Sequence, residues 1–589
     1  MIAAVDFETY YDNECSIVTL GVHHYLRHPT SDIYMVSIAT DTGIKYVGHP
    51  KHFDWTQIAE PDAVWLSHNA QFDLPVFQRL QELKVGNTAE VRDLAAWHDT
   101  ADLTAFLGYP RSLKEASKYL LGQEISKDTR DKMKGKAWES MTPEFRAEVE
   151  QYALKDAENC LNLWLQHGHK WPEHEREISQ MTREMALKGV PVDLEGLKKD
   201  SEVLKMAIWE AKGHIPWDDE HPVLSLKAAR ERCIIEGIEP PASFSQADPD
   251  TAAWEDRHAE AHPWIKALRT FRKARKHLST VETMIQRTRE DGWMGYGLKY
   301  GGAHTMRDSG DTGWNAQNLP KGEVCGVDIR SKIMAPEGYT FAIVDLSQIE
   351  PRCLHWLAKD FDTLRYIRQI DDLYEAQARA WGIWDGEGSM KKAAPEIRFM
   401  MKQLALGLGY GMGPNKFKTV ANVDEREAVR LVNLYRDKNP KVLRLWKELE
   451  GTFKEGIKDG SGILELKLPS GRVMSYRDPK LGEGDDSGRL LAKIQRQGKL
   501  QPLKFWGGIL TENLVQAVAR DVFMNRCLEI QSRGIQTIMR VHDEVVCIVP
   551  EGQAEKKLKE IITVMSTAPT WAPGLPLAAE GGISKVYKK

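Results

Sequence analysis

The sequence predicts a protein with several domains of mixed α/β and α+β class, and three observations support this prediction. The chain has 589 residues, which is more than one hydrophobic core covers economically. Short apolar runs alternate with helical patterns over residues 1–170, as is typical of an α/β domain. Residues 175–290 have a mostly helical pattern, and a second α/β region begins after residue 290.

Composition limits the kind of protein. Hydrophobic residues make up 42% and charged residues 28% of the chain, which is ordinary for a soluble globular protein. No apolar run reaches the ~20 residues that span a bilayer, and the N-terminus lacks a secretory pattern, so we expect a cytoplasmic protein without a membrane partner. The seven cysteines include no C-x-x-C pair, which argues against a disulfide framework or a structural zinc site. The net charge of −5 does not exclude a nucleic-acid partner, because acidic sites cancel basic grooves in the sum.

Three stretches differ from their surroundings in composition. Six prolines mark residues 214–263 as rich in loops, and the polar, glycine-containing segment 478–500 is predicted to be an exposed loop. Residues 264–279 form a predicted helix with one basic face, for which a solvated surface stripe is the alternative interpretation. That face carries Arg269, Arg272, Lys273 and Lys276.

Polar side chains of the first domain recur at strand and helix spacings. Asp6 and Glu8 follow an apolar strand and project from one face of it, because they are two residues apart. Two carboxylates on one face are costly unless a cation neutralises them, although solvated acids are the simpler explanation of a single pair. Two i, i+4 pairs follow on helices, namely Asn69 with Asp73 and Tyr152 with Asp156.

In this order, the three pairs resemble the exonuclease motifs of the DnaQ-like superfamily. The resemblance implies an RNase H-like fold in which Asp6, Glu8, Asp73 and Asp156 hold two metal ions and Tyr152 positions the attacking water. Two hard cations ~4 Å apart can activate a water and stabilise the leaving oxygen. Oxygen ligands suit Mg²⁺, with Mn²⁺ as the alternative, rather than zinc. We therefore expect a 3′→5′ exonuclease that takes the single-stranded 3′ end of DNA.

Two strand patterns of the second α/β region carry acids at their ends. The strand TFAIVDL carries Asp345 and runs into a helix, for which Ser347 and Glu350 are predicted to form a Ser-x-x-Glu capping box. The segment TIMRVHDEVVCIV reads as two β runs with Asp543 at the bend, where acids are common. A long helical block over residues 356–455 lies between them.

One helix within this block has two cations on one face. Arg398, Lys402 and Leu406 are spaced i, i+4 and i+8, and Tyr410 follows where glycines end the helix. Two cations without intervening acids suit a polyanion such as a triphosphate, and an exposed stripe is the alternative.

These segments resemble motifs A, B and C of family A DNA polymerases, the group that includes the Klenow fragment. The family pattern D-Y-S-Q-I-E-L-R stands here as D-L-S-Q-I-E-P-R at 345–352. The pattern R-x-x-x-K-x-x-x-F/Y-G-x-x-Y-G is matched at 398–411 except for Leu406, and V-H-D-E is unchanged at 541–544. Supporting matches are N-x-Q-N-x-P at 315–320, L-P-S-G-R at 468–472 and E-N-L-V-Q-A-V-A-R-D at 512–521.

The resemblance implies an exonuclease domain followed by a right-hand polymerase with thumb, palm and fingers. Because the exonuclease motifs begin at the N-terminus, we expect no 5′ nuclease domain and an architecture similar to that of a phage replicase. The predicted boundaries are 1–170 for the exonuclease domain, 171–290 for the thumb, 291–355 for the first part of the palm, 356–500 for the fingers and an adjoining loop, and 501–589 for the second part of the palm.

The resemblance also implies residue roles in DNA synthesis from dNTPs on a primer–template. Asp345 and Asp543 would bind two Mg²⁺ ions, and Lys402 with Arg398 would meet the triphosphate. Glu350 would crowd the 2′ position of the sugar, and Glu544 is a further catalytic candidate. Other dNTP contacts are expected from Gln348, Leu406, Tyr410 and His542. DNA contacts are expected from Arg307, Gln317, Asn318, Asn513 and Gln516, from Asn69 in the exonuclease site, and from the four cations of the basic helix.

Three departures and several alternatives stand beside this interpretation. Leu406 replaces an aromatic residue, Met306 stands before Arg307 where glycine is usual, and Pro351 replaces leucine in the first turn of a helix. The alternatives are a nuclease with a polymerase-like DNA-binding platform, a non-catalytic clamp, and a single-subunit RNA polymerase. Processivity, fidelity, strand displacement and the identity of any replisome partner stay open.

Overall fold

The computed structural model describes residues 1–92, 94–125, 128–217, 221–245, 248–311, 313–370, 372–484 and 487–588, and the architecture below refers to these residues.

A five-stranded mixed sheet organises the N-terminal region. Its strands are β1 (Ile2–Thr9), β2 (Ile33–Thr40), β3 (Lys45–Gly48), β4 (Val64–Ser67) and β5 (Ala96–Asp99). The order is β3-β2-β1-β4-β5, in which β1, β4 and β5 run parallel while β2 runs antiparallel to β1 and β3. One side of the sheet buries a cluster of aromatic rings that includes Trp55, Trp65 and Trp97. The RNase H-like arrangement expected for this region is therefore the observed one.

Six helices surround this sheet. They are α1 (Ile17–Tyr25), α2 (Ala70–Glu82), α3 (Thr100–Phe106), α4 (Leu113–Ala116), α5 (Asp128–Met133) and α6 (Pro143–His167). A π-helical turn over residues 117–121 follows α4. The long helix α6 packs across β1 and β2, so its side chains face the strand that carries Asp6 and Glu8.

The next region is mainly helical. It contains α7 (Glu173–Lys188), β6 (Val190–Pro191), α8 (Leu194–Gly213), α9 (Leu226–Ile235), α10 (Pro249–His258), α11 (Pro263–Arg287) and β7 (Trp293–Met294). Helices α8 and α11 pack along each other. The segment 214–263, predicted to be rich in loops, also contains α9 and α10. Proline is the first residue of both α10 and α11, where it marks a helix start rather than a break.

A four-stranded antiparallel sheet, here called the central sheet, forms the core of the second half. Short strands β8 (Gly297–Lys299) and β9 (Ser309–Asp311) precede its first strand, β10 (Tyr339–Leu346). The helices that follow are α12 (Ile349–Leu357), α13 (Phe361–Ile370), α14 (Leu373–Ala380), α15 (Met390–Ala393), α16 (Pro395–Gln403), α17 (Pro414–Ala421), α18 (Glu425–Lys438) and α19 (Pro440–Lys458).

Four more strands then form a separate antiparallel sheet in sequential order. They are β11 (Ile463–Lys467), β12 (Val473–Leu481), β13 (Leu490–Arg496) and β14 (Lys499–Phe505). The prediction of an exposed loop at 478–500 was therefore wrong, although residues 485 and 486 lie outside the described part. Leu490, Ala492 and Ile494 are buried and alternate with the less buried Leu491 and Lys493, a period-two pattern that the polar composition of the segment obscured.

The chain ends by completing the central sheet. The last elements are α20 (Gly507–Ser532), β15 (Gln536–Val541), β16 (Glu544–Pro550), α21 (Ala554–Met565) and β17 (Ala579–Ser584). The sheet order is β15-β16-β10-β17, with all neighbours antiparallel. Helix α21 packs on the sheet, and α20 connects it to α7 and α12. None of the described helices is long and apolar enough to cross a membrane.

Candidate active sites

Four carboxylates of the N-terminal region line one cavity of about 620 Å³. Asp6 and Glu8 leave the same face of β1, Asp73 lies in the first turn of α2, and Asp156 lies on α6. The cavity is also lined by Asn69 and Tyr152. The structure therefore brings together all six residues that the spacing pattern selected in this domain.

Backbone hydrogen bonds hold Asp73 beside β1. The N–H of Phe7 donates to Asp73 Oδ1 at 3.2 Å, which ties the start of α2 to the strand between Asp6 and Glu8. Asn69 begins the helix with a φ of 115° and without a side-chain cap. Instead the Asp99 carboxylate accepts the N–H groups of Asn69 and Ala70, at 3.2 and 2.9 Å. Sequence reasoning missed Asp99, whose only signal was an acid at the end of a strand.

The carboxylates of this cavity repel one another. Burial, followed by the charges of Glu8, Asp73 and Asp156, raises the pKa of Asp6 well above its ordinary value. Burial and the charge of Asp156 raise the pKa of Glu8 to about 8. Burial raises the pKa of Asp73 as well. Desolvation and like charge both disfavour the ionised forms, so a cation in this cavity would relieve both penalties.

Tyr152 adds a hydroxyl to the same cavity. It lies one turn from Asp156 on α6, with which its hydroxyl makes a hydrogen bond, and burial with the neighbouring carboxylates raises its pKa. The hydroxyl therefore stays protonated and can donate a hydrogen bond at neutral pH.

The donor set of this cavity fits divalent metal ions. Its ligands are oxygen atoms alone, and their mutual repulsion is the condition that a hard cation relieves. Among the residues that the structure describes, no group of three or more His, Cys, Asp or Glu side chains forms a ready metal site.

The second set of carboxylates lies at one end of the central sheet. Asp345 stands near the end of β10, and Asp543 lies in the turn between β15 and β16. The N–H of Leu346 donates to the carbonyl of Asp543 at 3.1 Å, so the two segments are directly joined. Asp345 is in register with Glu544, whose buried carboxylate accepts the hydroxyl of Tyr587 at 2.8 Å. The hydrogen bond from Tyr587 thus holds the Glu544 side chain in place next to the turn that carries Asp543.

Arg307 connects two predicted functional carboxylates. Its Nη2 lies 2.6 Å from Glu350 Oε1 and 3.8 Å from Asp543 Oδ1. Met306, which precedes it, is buried and has a φ of 67°. This left-handed conformation is strained for a residue with a side chain, which explains why glycine suits the position. Asp308, which follows, forms a buried ion pair with Arg540 at 2.7 Å.

The predicted capping box at the start of α12 was wrong. Gln348, with a φ of 54°, is the residue before the helix, and it makes no side-chain cap. The side-chain NH₂ of Gln348 donates to Asp372 Oδ1 at 2.9 Å, and its side-chain oxygen Oε1 accepts the N–H of Leu373 at 2.8 Å. The left-handed turn at Gln348 displaces Ser347 from the capping position, and Glu350 bonds to Arg307 instead.

The predicted cationic face of α16 is divided. Arg398 Nε donates to Asp372 Oδ2 at 2.7 Å, and its guanidinium lies over the Tyr374 ring at 5.3 Å. Lys402 is exposed and forms no ion pair with any described residue. Asp372, an acid outside the motif, therefore engages one of the two predicted cations and leaves the other exposed.

The helix that carries Lys402 does not continue regularly to Leu406. Helix α16 ends at Gln403, and residues 404–408 form a π-helical turn. The wider turn changes the angular position of Leu406 relative to Lys402, so the i+8 spacing of a regular α-helix does not apply. Tyr410 follows, half-buried, and burial with the charges of Glu350 and Glu512 raises its pKa.

The predicted DNA contacts near the central sheet occupy different environments. Gln317 bonds to the Arg540 carbonyl at 2.8 Å and accepts the His542 N–H at 2.9 Å, so it supports the turn that carries Asp543. Asn318 is exposed beside it. On α20, Asn513 bonds to the Tyr476 hydroxyl and Gln516 to Glu512.

The basic face of α11 is partly neutralised within the protein. Arg269 pairs with Asp256 at 2.5 Å, and Arg272 with Glu255 at 3.3 Å, both acids being on α10. Lys273 and Lys276 form no ion pair with the described residues and lie further along the helix. The four cations thus stay on one face of α11, but acids of α10 engage two of them.

A buried ionic cluster joins α7 to α20. Arg520 bonds to Glu175 at 2.5 and 3.0 Å, and the Tyr300 hydroxyl donates to Glu175 at 2.6 Å. Arg472 and Asp521 continue the cluster with a contact of 2.8 Å. Both Arg472 and Arg520 belong to segments that the sequence singled out, but nothing in the sequence predicted their pairing.

Comparison with known proteins identifies what the chain is similar to. Residues 245–458 match the sequence profile of DNA polymerase family A. This part of the chain is therefore similar to that family, and the resemblance drawn from the motifs is confirmed.

Individual relatives cover different parts of the chain. The DNA polymerase of Bacillus phage SP02 is 32% identical over 282 residues, which are 44% of this chain and 43% of that protein. The thermostable DNA polymerase I of Thermus filiformis is 26% identical over 441 residues, covering 72% and 48%. The chain spans about half the length of these curated relatives. A solved structure, the POL domain of Pol1 from M. smegmatis in complex with DNA primer-template and dNTP, matches with a TM-score of 0.69 and 18% identity, over 99% of this chain and 95% of that one. That likeness confirms the predicted fold.

Proposed function

We propose that this chain is a DNA-directed DNA polymerase that also removes nucleotides from the 3′ end of DNA. The observation that carries the proposal is the presence of two separate carboxylate sites in one chain. One lines a cavity beside the N-terminal sheet, and the other lies at the end of the central sheet. Each site brings several acidic side chains together at a place that a substrate would reach.

For synthesis, the chain would bind a primer–template and a dNTP at the central sheet. Asp345 and Asp543 would hold the reacting groups at the sheet end, and Lys402, which is exposed and without an ion pair among the described residues, would meet the triphosphate. Arg398 would join it after release from Asp372. Glu350 would restrict the sugar, with Arg307 holding its carboxylate.

For proofreading, the single-stranded 3′ end would enter the cavity of about 620 Å³. Asp6, Glu8, Asp73 and Asp156 would surround the last phosphodiester, and the Tyr152 hydroxyl would orient the attacking water. Two Mg²⁺ ions per site, with Mn²⁺ as a substitute, would lower the pKa of the nucleophile and stabilise the leaving oxygen in both reactions.

We assign the remaining regions by the same likeness. Residues 1–170 would be the exonuclease domain, α8 and α11 part of a thumb over 171–290, and the central sheet the palm. The helices between β10 and β11 would form the fingers. The predicted boundary at residue 500 falls within β14, so the sheet of β11 to β14 would lie across it. Lys273, Lys276, Gln317, Asn318, Asn513 and Gln516 would contact the primer–template.

A primer-extension gel with matched and mismatched 3′ ends tests the proposal. We expect extension of the matched primer with dNTPs, no extension with rNTPs, and trimming of the mismatched primer before its extension. Absence of dNTP incorporation together with intact degradation of single strands would contradict the proposed polymerase. That result would favour an exonuclease with a polymerase-like DNA-binding platform, a candidate that the engagement of Arg398 by Asp372 keeps under consideration.

A further inference from the structure

One cation reaches the cavity of the N-terminal region without belonging to any predicted motif. Arg130 lies on α5, and it lines the same cavity as Asp6, Glu8, Tyr152 and Asp156. The side chain is exposed to the water of the cavity while protein atoms surround it on the other sides. The sequence offered no reason to choose it among the charged residues of 127–136.

The backbone on both sides of Arg130 is anchored. The Tyr11 hydroxyl donates to the Arg130 carbonyl at 2.8 Å, and the N–H of Gly135 donates to the Tyr11 carbonyl at 2.9 Å. On the opposite side, the Thr129 hydroxyl donates to Glu148 on α6 at 2.7 Å, and Met133 is buried beside the sheet. The direction of the Arg130 side chain is therefore set by fixed neighbours, although α5 is short.

The guanidinium of Arg130 faces the acidic side chains of the cavity. Burial alone would lower the pKa of Arg130, but Tyr152, Glu8, Tyr11 and Asp6 raise it through the negative charge of their ionised forms. The Arg130 guanidinium shares a side-chain hydrogen bond with the Tyr11 hydroxyl, and it forms no ion pair with the residues that the structure describes. A guanidinium held in this way keeps its planar pair of donors available for a ligand.

A charge balance indicates which ligand it would take. The positive charge of two divalent cations equals the negative charge of the four ionised carboxylates. The phosphodiester of a bound strand therefore adds one negative charge that the metal ions and carboxylates do not balance. That charge grows as the water attacks, because the phosphoryl oxygens become more negative in the transition state. Arginine binds two oxygens of one phosphate at once and remains charged throughout.

We propose that Arg130 binds the scissile phosphodiester of the 3′-terminal nucleotide and stabilises the negative charge that develops during hydrolysis. This inference rests on the proposed exonuclease activity. In the reaction, the water oxygen forms a bond to phosphorus and the bond between phosphorus and the 3′ oxygen of the penultimate nucleotide breaks. The departing 3′ oxygen takes one proton of the water, and the terminal nucleotide leaves as a 5′-monophosphate.

Three variants of the full chain test the role of Arg130. Arg130→Ala removes the guanidinium, Arg130→Lys keeps the charge without the paired donors, and Lys134→Ala removes an exposed cation of the same segment. We expect single-strand hydrolysis by Arg130→Ala to fall about 10²–10³-fold in kcat, as for the loss of one donor that stabilises a developing oxyanion. Arg130→Lys should recover a small part of the lost hydrolysis rate, and Lys134→Ala should hydrolyse single strands at the wild-type rate. Primer extension should stay at the wild-type level in all three variants.

Chemical rescue separates contact with the phosphate from a structural role. Free guanidinium at millimolar concentration should raise the rate of Arg130→Ala but not that of wild type, because only the variant has a vacant position for it. A rate of Arg130→Ala equal to wild type, or a reduced rate that guanidinium leaves unchanged, would overturn the inference.

Binding provides a second measurement that does not depend on cleavage. The probe is a fluorescein-labelled oligothymidylate with a free 3′ end, with Ca²⁺ in place of Mg²⁺, followed by fluorescence anisotropy. We expect Arg130→Ala to bind about tenfold more weakly than wild type and Lys134→Ala to bind equally well. Equal affinity of Arg130→Ala and wild type would overturn the inference. Wild-type protein that binds the probe but hydrolyses no DNA would contradict the proposed exonuclease, while the binding comparison would still decide whether Arg130 contacts phosphate.

Discussion

The two carboxylate sites differ in how the protein balances their charge. In the N-terminal cavity, Asp6 and Glu8 form no ion pair with the described residues, and the carboxylates raise one another's pKa values. At the central sheet, Asp543 and Glu350 both lie near Arg307. The first site is thus assembled against electrostatic repulsion that Arg130 only partly offsets, and the second has a protein cation in direct contact with Glu350.

This difference has a consequence for ligand binding. A cavity of mutually repelling carboxylates is organised for cations before DNA arrives, and binding relieves an existing strain. At the central sheet, Arg307 and Arg398 first have to exchange protein carboxylates for substrate, so productive binding includes a rearrangement of ion pairs. We therefore expect the two sites to respond in opposite ways to the loss of a carboxylate.

The largest expected effect comes from the cluster that joins the two halves. Glu175→Gln removes the nearest counter-ion of the buried Arg520, which keeps only the longer 3.3 Å contact with Asp521, so we expect the free energy of unfolding to fall by about 3–5 kcal/mol. Urea denaturation measures this, with Glu173→Gln, an exposed acid of the same helix, as the control. An unchanged stability of Glu175→Gln would contradict the importance of the cluster.

The same pair predicts a dependence on pH. Burial alone would raise the pKa of Glu175, but Arg520 outweighs it and lowers that pKa to about 2, from an ordinary value of 4.5. Because the folded state lowers this pKa, its stabilisation is complete above about pH 4.5 and is lost as the pH falls through about 2. The difference in stability between wild type and Glu175→Gln should therefore shrink over that interval, and a constant difference would contradict this assignment.

Lys402 tests the polymerase side of the comparison. Lys402→Ala removes an exposed cation that has no ion pair with described residues, and we expect kcat/KM for primer extension to fall about 10²–10³-fold. Exonuclease activity should not change. The control is Lys392→Ala, an exposed lysine just before α16. If both lysine variants lost the same amount of primer-extension activity, the loss would reflect the net positive charge of the region and would contradict a specific role for Lys402.

The smallest effect concerns the repulsion in the N-terminal cavity. Asp6→Asn removes one of the repelling charges, so in EDTA we expect the free energy of unfolding to rise by about 1–2 kcal/mol. Adding Mg²⁺ should stabilise wild type and close the gap, because the metal binds only the folded state. Asp543→Asn is the matched variant, and it should gain no stability because Arg307 would lose a partner. A gain for Asp543→Asn as large as that for Asp6→Asn would remove the distinction between the sites.

Sequence patterns predicted the parts of both sites that depend on regular geometry. Asp6 and Glu8 share a face because strands have a period of two, and Tyr152 lies next to Asp156 because helices place i and i+4 together. The same rules identified the turn that carries Asp543. Local spacing fixes such relationships before any long-range contact forms.

The remaining features depend on contacts between distant segments or on irregular backbone. Asp372 engages Arg398 from another helix, and Arg130 reaches the cavity through contacts of Tyr11, far away in the chain. The left-handed conformation of Met306 and the π-helical turn at 404–408 break the regular geometry on which spacing arguments rely. Strand β13 was missed because the polar composition of its surroundings obscured an alternation of buried residues.

One experiment tests most directly the claim that this chain holds two independent sites. Asp6→Ala and Asp543→Ala are each assayed for primer extension and for trimming of a mismatched 3′ end, with circular dichroism to verify folding. We expect Asp6→Ala to extend normally without trimming, and Asp543→Ala to trim normally without extension. Loss of both activities in either folded variant would contradict two separate sites.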